Sequence, residues 1–314
     1  MAAVCRTLRV ARSTGYLSSR PRQGRFYRRA EDTEVLYQIL AVTRERASYG
    51  VRRTWVLVNR DRSRSGRKPY NRKRIRRVMR MMGLTLPGTM RRRLTRPHTG
   101  KIAMPGSDQR WCSDGFNIPC WNGETVRVAF ALDCHDREAI EHVARPRELN
   151  GHDIRLLLDR ALWSRFGERT LRSPIQIQWL SDNGGPYVST ETVLYAQTLG
   201  FAPITTPAYS PESNGMAEAF VNTIKRDYVG GADLSDAQTV IRQLPAWLDD
   251  YNRIAPHSAL GFLSPKQFRA QQLELTRFRG HLQTWGKGVH DAEESRGIPG
   301  GVSAADGGAG SVWA

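Results

Sequence analysis

The sequence contains little cysteine and no long apolar run. Its four cysteines, in a chain of 314 residues, show no C-x-x-C spacing, which argues against a disulfide scaffold. A zinc site at Cys134, His135 and His142 is disfavoured because no second ligand pair has the spacing of a metal site. No stretch approaches the roughly 18 consecutive apolar residues of a membrane helix. These absences together indicate a reduced, cytosolic protein with no membrane partner.

Acidic residues are scarce in the first third of the chain. Residues 1–110 hold 29 of the 48 Lys and Arg but 6 of the 30 Asp and Glu, a net charge of +23, whereas the remaining 204 residues carry −5. The first 30 residues include eight arginines and no acid. Mitochondrial transit peptides share that composition, but the arginine richness continues past residue 30 and favours a basic arm. Charge segregated in this way predicts a polyanionic partner.

Helical periodicity follows the basic arm. Apolar residues from Val35 to Val42 predict one helix, and those from Val51 to Val58 predict a second, followed by the loop-like stretch DRSRSGRKPY. Asn71 is placed to cap a third helix. The basic face of that helix consists of Arg72, Lys73, Arg76, Arg77 and Arg80. Three short helices, the last one basic, are typical of a helix-turn-helix module that binds DNA through its phosphates. A merely solvated basic face is the alternative.

Strand patterns begin after residue 109. The stretches RWCSDGFNI and VRVAFALDCHD predict two strands joined by the hairpin turn NGET, and EAIEHVA predicts a third strand or a short helix. The stretches DIRLLLDRALWSRFG, ETVLYAQTLG and PESNGMAEAFVNTIK predict helices. IQIQWLS predicts a strand that alternates Ile175, Ile177 and Trp179, and FAPITTPA predicts an extended segment. Antiparallel strands followed by alternating strands and helices indicate a mixed α/β domain.

Three acidic residues stand where catalysis is expected. Asp114 lies inside the first strand, although aspartate is a poor strand former. Asp182 lies where a strand ends, and Glu218 lies off the apolar stripe of its helix, with Lys225 two turns further along the same face. Three converging carboxylates stay ionised only beside divalent cations. Two such ions would clamp the attacking and leaving oxygens of a phosphoryl transfer, with Lys225 beside the phosphate.

Other residues compete for these roles. Asp133 is the serious rival for the first acid, because it also ends a strand. The further acidic candidates are Asp136, Glu191 and Glu212. Ser113 or Ser181 as a nucleophile has no nearby base to support it.

Several blocks of the sequence resemble one family. The blocks WCSDGF, LSDNGGPY and SPESNGMAEAFVNTIKRDY, with 35 residues between Asp182 and Glu218, resemble the DDE transposases of bacterial insertion sequences. The segment ASYGVRRTWVLV…NRKRIRRVMRMMGL is similar to that family's helix-turn-helix, and YNRIAPHSALGFLSPKQF is similar to its C-terminal signature. The resemblance covers about residues 32–272. It points to the branch with a retroviral-integrase-like core, encoded by the second of two overlapping reading frames.

The resemblance implies both a fold and an activity. The expected fold is a ribonuclease-H-like mixed sheet flanked by helices, preceded by a small all-α helix-turn-helix domain. The expected activity is cleavage and joining of element ends by metal-assisted phosphoryl transfer, with two Mg²⁺ or Mn²⁺ ions held by Asp114, Asp182 and Glu218. The implied partners are the terminal inverted repeats, target DNA and further copies of the chain. The upstream reading-frame product is a candidate partner, because no leucine-zipper heptads occur here.

The resemblance also assigns individual residues. The W-x-x-D match implies that Asp114 is the first acid. Asn214 and Gly215 match the family's turn into the catalytic helix, where glycine lets backbone approach DNA. Lys225 matches the basic residue that engages the element's end. No chemistry follows from the motif YN…PHSALG, and His257 is favoured as a structural turn residue over an active-site base.

The expected order of domains follows from these assignments. It comprises a basic arm (1–30), a helix-turn-helix domain (31–86), a linker (87–107), an integrase-like catalytic core (108–275) and a disordered tail (276–314) that is rich in glycine. Two rival functions remain. One is a ribonuclease-H-like nuclease that cuts without joining. The other is a catalytically incomplete DNA-binding fragment or repressor of the same element.

Overall fold

The computed structural model describes residues 32–87, 104–205 and 215–276, together with Thr7. Two compact units divide the chain, Met1–Gly88 and Thr89–Ala314. Nearly all of the predicted arm and tail, most of the predicted linker, and the candidates Asn214 and Glu212 lie outside the described residues. No helix in this described part is both long and apolar enough to cross a membrane.

Three helices form the first unit. They are α1 (Asp32–Glu45), α2 (Val51–Arg64) and α3 (Arg72–Met81). Apolar side chains spaced three or four residues apart bury one stripe of each helix against the others. The fully buried ones include Val35, Ile39, Ile75, Val78 and Met79. The Asn71 side chain accepts a hydrogen bond from the Lys73 amide at 2.9 Å and caps α3. The three predicted helices are confirmed.

The loop predicted over DRSRSGRKPY begins too early. Helix α2 continues to Arg64, and Arg62 in its last turn contacts the chain that follows. Its guanidinium carbon lies 3.7 Å from the centre of the Tyr70 ring, and the group donates to the Tyr70 hydroxyl at 2.7 Å and to the Lys68 carbonyl at 2.8 Å. The first part of this polar stretch is therefore the last turn of α2, and only the remainder is a loop.

A five-stranded mixed sheet forms the centre of the second unit. Its strands are β1 (Arg110–Pro119), β2 (Thr125–Asp133), β3 (Ala139–Arg145), β4 (Ile177–Ser181) and β5 (Phe201–Thr205). The spatial order is β3-β2-β1-β4-β5, in which β1, β2 and β3 are antiparallel and β4 runs parallel to both β1 and β5. The Cys120 amide closes the first hairpin on the Glu124 carbonyl at 2.8 Å. This is the expected ribonuclease-H-like arrangement, so the predicted fold class is confirmed.

Helices cover both faces of the sheet. They are α4 (Gly151–Phe166), α5 (Gly185–Val188), α6 (Thr190–Thr198), α7 (Gly215–Asp227) and α8 (Ala237–Arg253), and residues 265–276 are also helical. The alternation of side chains along β2 divides them between two cores. Val128 and Phe130 pack with α7 and α8, whereas Ala129 and Ala131 pack with α4 and α6. The candidate catalytic helix α7 is thereby fixed to one face of the sheet.

Some elements differ from the sequence-based prediction. Strand β4 begins at Ile177, and Ile175, predicted within it, is 48% exposed in a preceding bend. The Ser173 hydroxyl donates to the Ile175 carbonyl at 2.6 Å and holds that bend. The stretch EAIEHVA is a strand rather than a helix. Helix α8 was not predicted, because Pro245 lies in its interior and proline usually ends a helix.

Candidate active site

Asp114 lies in the middle of β1. It stands directly opposite Phe130 of β2, so both side chains lie on the face of the sheet that α7 and α8 cover. The carboxylate is partly exposed, and its Oδ1 atom accepts a hydrogen bond from the Gly115 amide at 2.7 Å. The strand therefore holds a partly desolvated carboxylate at a fixed position.

Asp182 follows the last residue of β4. Because β4 runs parallel to β1 with Leu180 paired to Cys112, two further residues bring Asp182 alongside Asp114. The Gly184 amide donates to Asp182 Oδ1 at 3.1 Å. A β-carbon at position 184 would stand 3.1 Å from that same oxygen. The glycine in the DNGG stretch thus lets the turn close tightly on the carboxylate.

Glu218 lies in the first turn of α7. The buried side of this helix carries Ala217, Phe220 and Ile224, and Glu218 is exposed beside it. Lys225 is also exposed, and a spacing of seven residues places it on the same side of the helix as Glu218. The helix therefore presents a carboxylate and an ammonium group along one side, as the periodicity predicts.

The charges of Asp182 and Glu218 act on the Asp114 carboxylate. Burial is the main cause that raises the pKa of Asp114 above its ordinary value, and the Gly115 amide opposes it. The charges of Asp182 and Glu218 raise the pKa of Asp114 further, so both acids lie close enough to repel it. None of the three acids forms an ion pair with another described residue. Asp182 and Glu218 therefore lie within electrostatic range of Asp114, and none of the three acids has a cationic partner among the described residues.

The chemistry of these donors fits a hard divalent cation. Carboxylate oxygens with excess negative charge are the ligands that Mg²⁺ prefers in proteins. In the described part of the chain, however, no group of three or more His, Cys, Asp or Glu side chains is arranged to hold a metal ion. The donor types match the expected cation, while a preassembled set of ligands is not found there.

Asp133, the rival for the first acid, has a role in a turn. Its side chain is 1% exposed. The carboxylate accepts hydrogen bonds from the amides of Asp108 at 2.7 Å, His135 at 2.7 Å and Asp136 at 3.1 Å. A buried carboxylate that accepts three amide hydrogen bonds stabilises the turn between β2 and β3 and is not open to a metal ion. This favours Asp114 as the first acid.

The same turn contains a charge network that the sequence did not reveal. Arg165 of α4 is almost fully buried, and its nitrogens lie 2.8 Å from Asp108 and 2.7 Å from Glu138. Asp133 and Asp136 lie further from it, at 3.5 Å and 3.7 Å. Burial, assisted by the charge of Asp133, raises the pKa of Asp136 to about 7. No local pattern signals this network, because α4 supplies its arginine from a distant part of the chain.

Tyr187 lies beneath the acids and was also not predicted. Its ring is buried, and its hydroxyl lies 3.4 Å from the Ser113 hydroxyl. Burial raises the pKa of Tyr187, and the charges of Asp114 and Asp182 add to that effect. Ser113 donates to the Phe130 carbonyl at 2.7 Å, so this serine is bonded within the sheet and is not placed as a nucleophile.

Comparison with known proteins identifies the family. An integrase core domain family matches residues 105–211, and a second integrase core domain family matches residues 199–265. Transposase InsD for insertion element IS2A/D/F/H/I/K of Escherichia coli is 41% identical over 276 residues, which cover 86% of this chain and 90% of that protein. The chain belongs to the insertion-element transposases. Transposase InsD for insertion element IS2-9 of Escherichia coli strain K12 is also 41% identical, over 86% of this transposase and 89% of its relative.

Solved structures are similar to about half of the transposase. The catalytic core domain of BIV integrase is 20% identical over 55% of this chain and 99% of its own, with a TM-score of 0.37. The catalytic domain of Mos1 mariner transposase is 19% identical over 45% and 70%, with the same TM-score of 0.37. These likenesses are weak, and the fold assignment rests on the strand order and the family match.

The basic residues of α3 in this transposase fall into two groups. The exposed group consists of Arg72, Lys73, Arg76 and Arg80. Arg77 instead donates to the two carboxylate oxygens of Asp32 at 2.9 Å and 2.7 Å, and Arg74 reaches the same carboxylate at 3.1 Å. Because Asp32 is buried in α1, Arg77 fastens α3 to α1. This gives Arg77 a structural partner where the sequence predicted a DNA contact.

Proposed function

We propose that this transposase cleaves and joins the DNA ends of its insertion sequence by metal-assisted phosphoryl transfer. The observation that carries the proposal is that Asp182, just past the end of β4, lies alongside Asp114 of the parallel strand β1, with Glu218 of α7 within electrostatic range of Asp114. Carboxylates gathered without compensating cations suit a site that binds metal ions together with DNA phosphate. Membership of the transposase family supports DNA as the substrate.

Asp114, Asp182 and Glu218 would hold two Mg²⁺ or Mn²⁺ ions. Bound ions of this kind neutralise the carboxylates and stabilise charge on the attacking and leaving oxygens of a phosphoryl transfer. Lys225, exposed on the same side of α7 as Glu218, would contact a phosphate next to the reacting bond. Gly215 at the start of α7 is exposed and has no atom near the position of an added β-carbon. It would leave room for the DNA backbone, with Asn214 beside it.

Two direct displacements account for cleavage and joining. In the first, a water oxygen forms a bond to phosphorus at the element's end, and the bond between phosphorus and the 3′-oxygen breaks to leave a 3′-hydroxyl. In the second, this 3′-oxygen loses its proton and bonds to a phosphorus of the target, while the target's own 3′-oxygen leaves. Neither displacement requires a covalent enzyme intermediate, in keeping with the hydrogen-bonded position of Ser113.

The exposed basic face of α3 is proposed as the DNA-binding surface of the first unit. Its members are Arg72, Lys73, Arg76 and Arg80. On an α-helix these positions span about 100° of the circumference, so they can face one duplex together. We propose a DNA-binding domain over 31–86, a linker over 87–107 and a catalytic core over 108–275. The proposed partners are inverted-repeat and target DNA, further copies of the chain, and the upstream reading-frame product.

A joining assay tests this function. The purified chain is incubated with pre-cleaved element-end DNA, a target plasmid and Mg²⁺, and joined products are measured for the wild type and for Glu218→Gln. The matched control is Glu191→Gln, which changes another exposed glutamate in the first turn of a helix. Joined products that vanish with Glu218→Gln and persist with Glu191→Gln are the expected result.

Two other outcomes would contradict the proposal. Nicked DNA without joined product would indicate a nuclease. DNA binding without any cleavage or joining, also after fusion to the upstream segment, would indicate a DNA-binding fragment or repressor of the element.

A further inference from the structure

Three buried aromatic rings and the half-buried ring of His257 connect β2 to the C-terminal signature of the sequence. Phe130, which stands opposite Asp114, lies 4.4 Å from Phe220 of α7 between ring centres. Phe220 meets Tyr251 of α8 edge-on at 5.0 Å, and Tyr251 meets His257 edge-on at 4.6 Å. A continuous line of ring contacts thus runs from the strand pair that carries the first acid, through the catalytic helix, to the segment YN…PH.

The position of Glu218 depends on the seating of α7. Glu218 is exposed and makes no hydrogen bond or ion pair with another described residue. Its distance from Asp114 is therefore set by the rotation and height of the helix over the sheet. Phe220, two residues further on and 2% exposed, is the largest side chain on the buried side of α7. In a close-packed core, a change at this ring shifts the helix that carries it.

Hydrogen bonds hold the segment that carries Tyr251 and His257. Asn252, next to Tyr251, accepts a hydrogen bond from the Ala139 amide at 2.9 Å and donates to the Ala139 carbonyl at 2.8 Å. These two bonds fasten α8 to the start of β3. The amide of His257 donates to the Leu263 carbonyl at 3.0 Å, which holds the turn that follows α8. These hydrogen bonds hold the backbone next to Tyr251 and the turn after it in place.

We propose that Phe220 and Tyr251 are positioning residues, which set the place of the Glu218 carboxylate relative to Asp114. The inference rests on the proposed function, because it gives the signature segment a role in that chemistry. Asn252 and His257 keep Tyr251 in place, and Tyr251 supports Phe220. Their effect is on the geometry of the reacting groups, where a misplacement of about 1 Å costs on the order of 100-fold in rate.

The test compares variants that remove a ring from this line with one that removes a ring elsewhere. Tyr251→Leu and Phe220→Leu remove support for α7, whereas Tyr251→Phe keeps the ring. The control is Phe201→Leu, because Phe201 is 3% exposed and packs on Trp111 in the other core. We expect the joining rate at saturating DNA to fall about 10- to 100-fold in Tyr251→Leu and Phe220→Leu. Tyr251→Phe and Phe201→Leu should stay within about threefold of the wild type, and the affinity for end DNA should hardly change in any variant.

Two further measurements separate positioning from loss of stability. The double variant of Phe220 and Tyr251 should lose little more rate than either single variant, since both act through the same helix. Amide hydrogen exchange in metal-free protein should accelerate in α7 for Tyr251→Leu but not for Phe201→Leu. If the wild type joins no DNA, also after fusion to the upstream segment, the proposed function fails, and the exchange data alone decide whether Tyr251 seats α7. Equal effects of Tyr251→Leu and Phe201→Leu on joining and on α7 exchange would overturn the inference, and so would a Tyr251→Phe variant as defective as Tyr251→Leu.

Discussion

At the scale of single residues, hydrogen bonding distinguishes the two aspartates of β1 and β2, Asp114 and Asp133. Asp114 and Asp133 both belong to strand patterns, and only the W-x-x-D resemblance favoured the first. The structure adds a physical reason, because three amides occupy the Asp133 carboxylate and one occupies that of Asp114. Hydrogen bonds of this kind depend on the shape of a turn, which side-chain patterns do not specify.

The two kinds of arginine on α3 should respond oppositely to substitution. Arg77→Ala removes one of two arginines from the buried Asp32 and should lower the free energy of unfolding of the first unit by about 1–3 kcal/mol. Arg76→Ala removes an exposed charge, so it should leave stability unchanged. It should weaken DNA binding and reduce the slope of log K against log salt concentration by about 1. Thermal denaturation and fluorescence anisotropy at several salt concentrations measure the two effects.

The comparison of Arg76 with Arg77 has a clear contrary result. If Arg77→Ala left stability intact and reduced the salt slope as Arg76→Ala does, the partner seen in α1 would be dispensable and Arg77 would belong to the DNA surface after all. Arg44→Ala, in the last turn of α1, provides an exposed arginine off α3 as a control.

At the scale of elements, the sequence-based prediction was right for helices with one apolar stripe and incomplete where an internal proline or a buried charged side chain interrupts that pattern. Helix α7 follows from its period alone, with Ala217, Phe220 and Ile224 buried. Helix α8 was hidden by Pro245, although its buried side chains recur at helical spacing. The end of α2 was missed because DRSRSGRKPY is polar and contains Gly66 and Pro69, although Arg62 within it is buried by its partners. Such partners come from other elements, so a window of local sequence does not contain them.

The attachment of α8 to β3 should depend on one amide side chain. Asn252→Ala would leave the Ala139 amide and carbonyl without their side-chain partner. Each buried group left unpaired costs about 1–3 kcal/mol, so we expect the free energy of unfolding to fall by roughly 2–5 kcal/mol. Urea denaturation measures this change. Asn222→Ala, at an exposed position of α7, is the matched control and should cost less than about 0.5 kcal/mol. Equally small changes in both variants would show that the two hydrogen bonds between Asn252 and Ala139 add no net stability.

At the scale of the whole molecule, ion pairs join regions that are far apart in sequence. Arg165 of α4 and Arg269 of the helical segment 265–276 both contact Asp108 and Glu138. Arg269 and Asp108 are 161 positions apart, which is why no spacing rule could have paired them. The network draws together the start of β1, the turn before β3 and the last described helix. It links these elements of the second unit, but it also places several carboxylates close together in a buried site, which is energetically unfavourable for their ionised forms.

Burial of Asp136 in this network should make the free energy of unfolding depend on pH. Its pKa in the folded chain is raised to about 7 from the ordinary 3.8, chiefly by burial, so the folded state retains a proton that the unfolded state releases. Stability from this group is therefore lost as the pH rises from about 4 to about 7 and is constant above that range. Asp136→Asn keeps an oxygen to accept from the Glu138 amide and removes the titration.

The gain in unfolding free energy of Asp136→Asn over the wild type should consequently be larger at pH 8 than at pH 5, by about 1–3 kcal/mol. Guanidinium denaturation at several pH values measures it, with the exposed Asp249→Asn as a control that should show no such trend. A gain that shrinks toward pH 8 would mean that Arg165, 3.7 Å away, stabilises an ionised Asp136 more strongly than burial opposes it. The network would then be a net source of stability at neutral pH, because each of its acids would be ionised and paired.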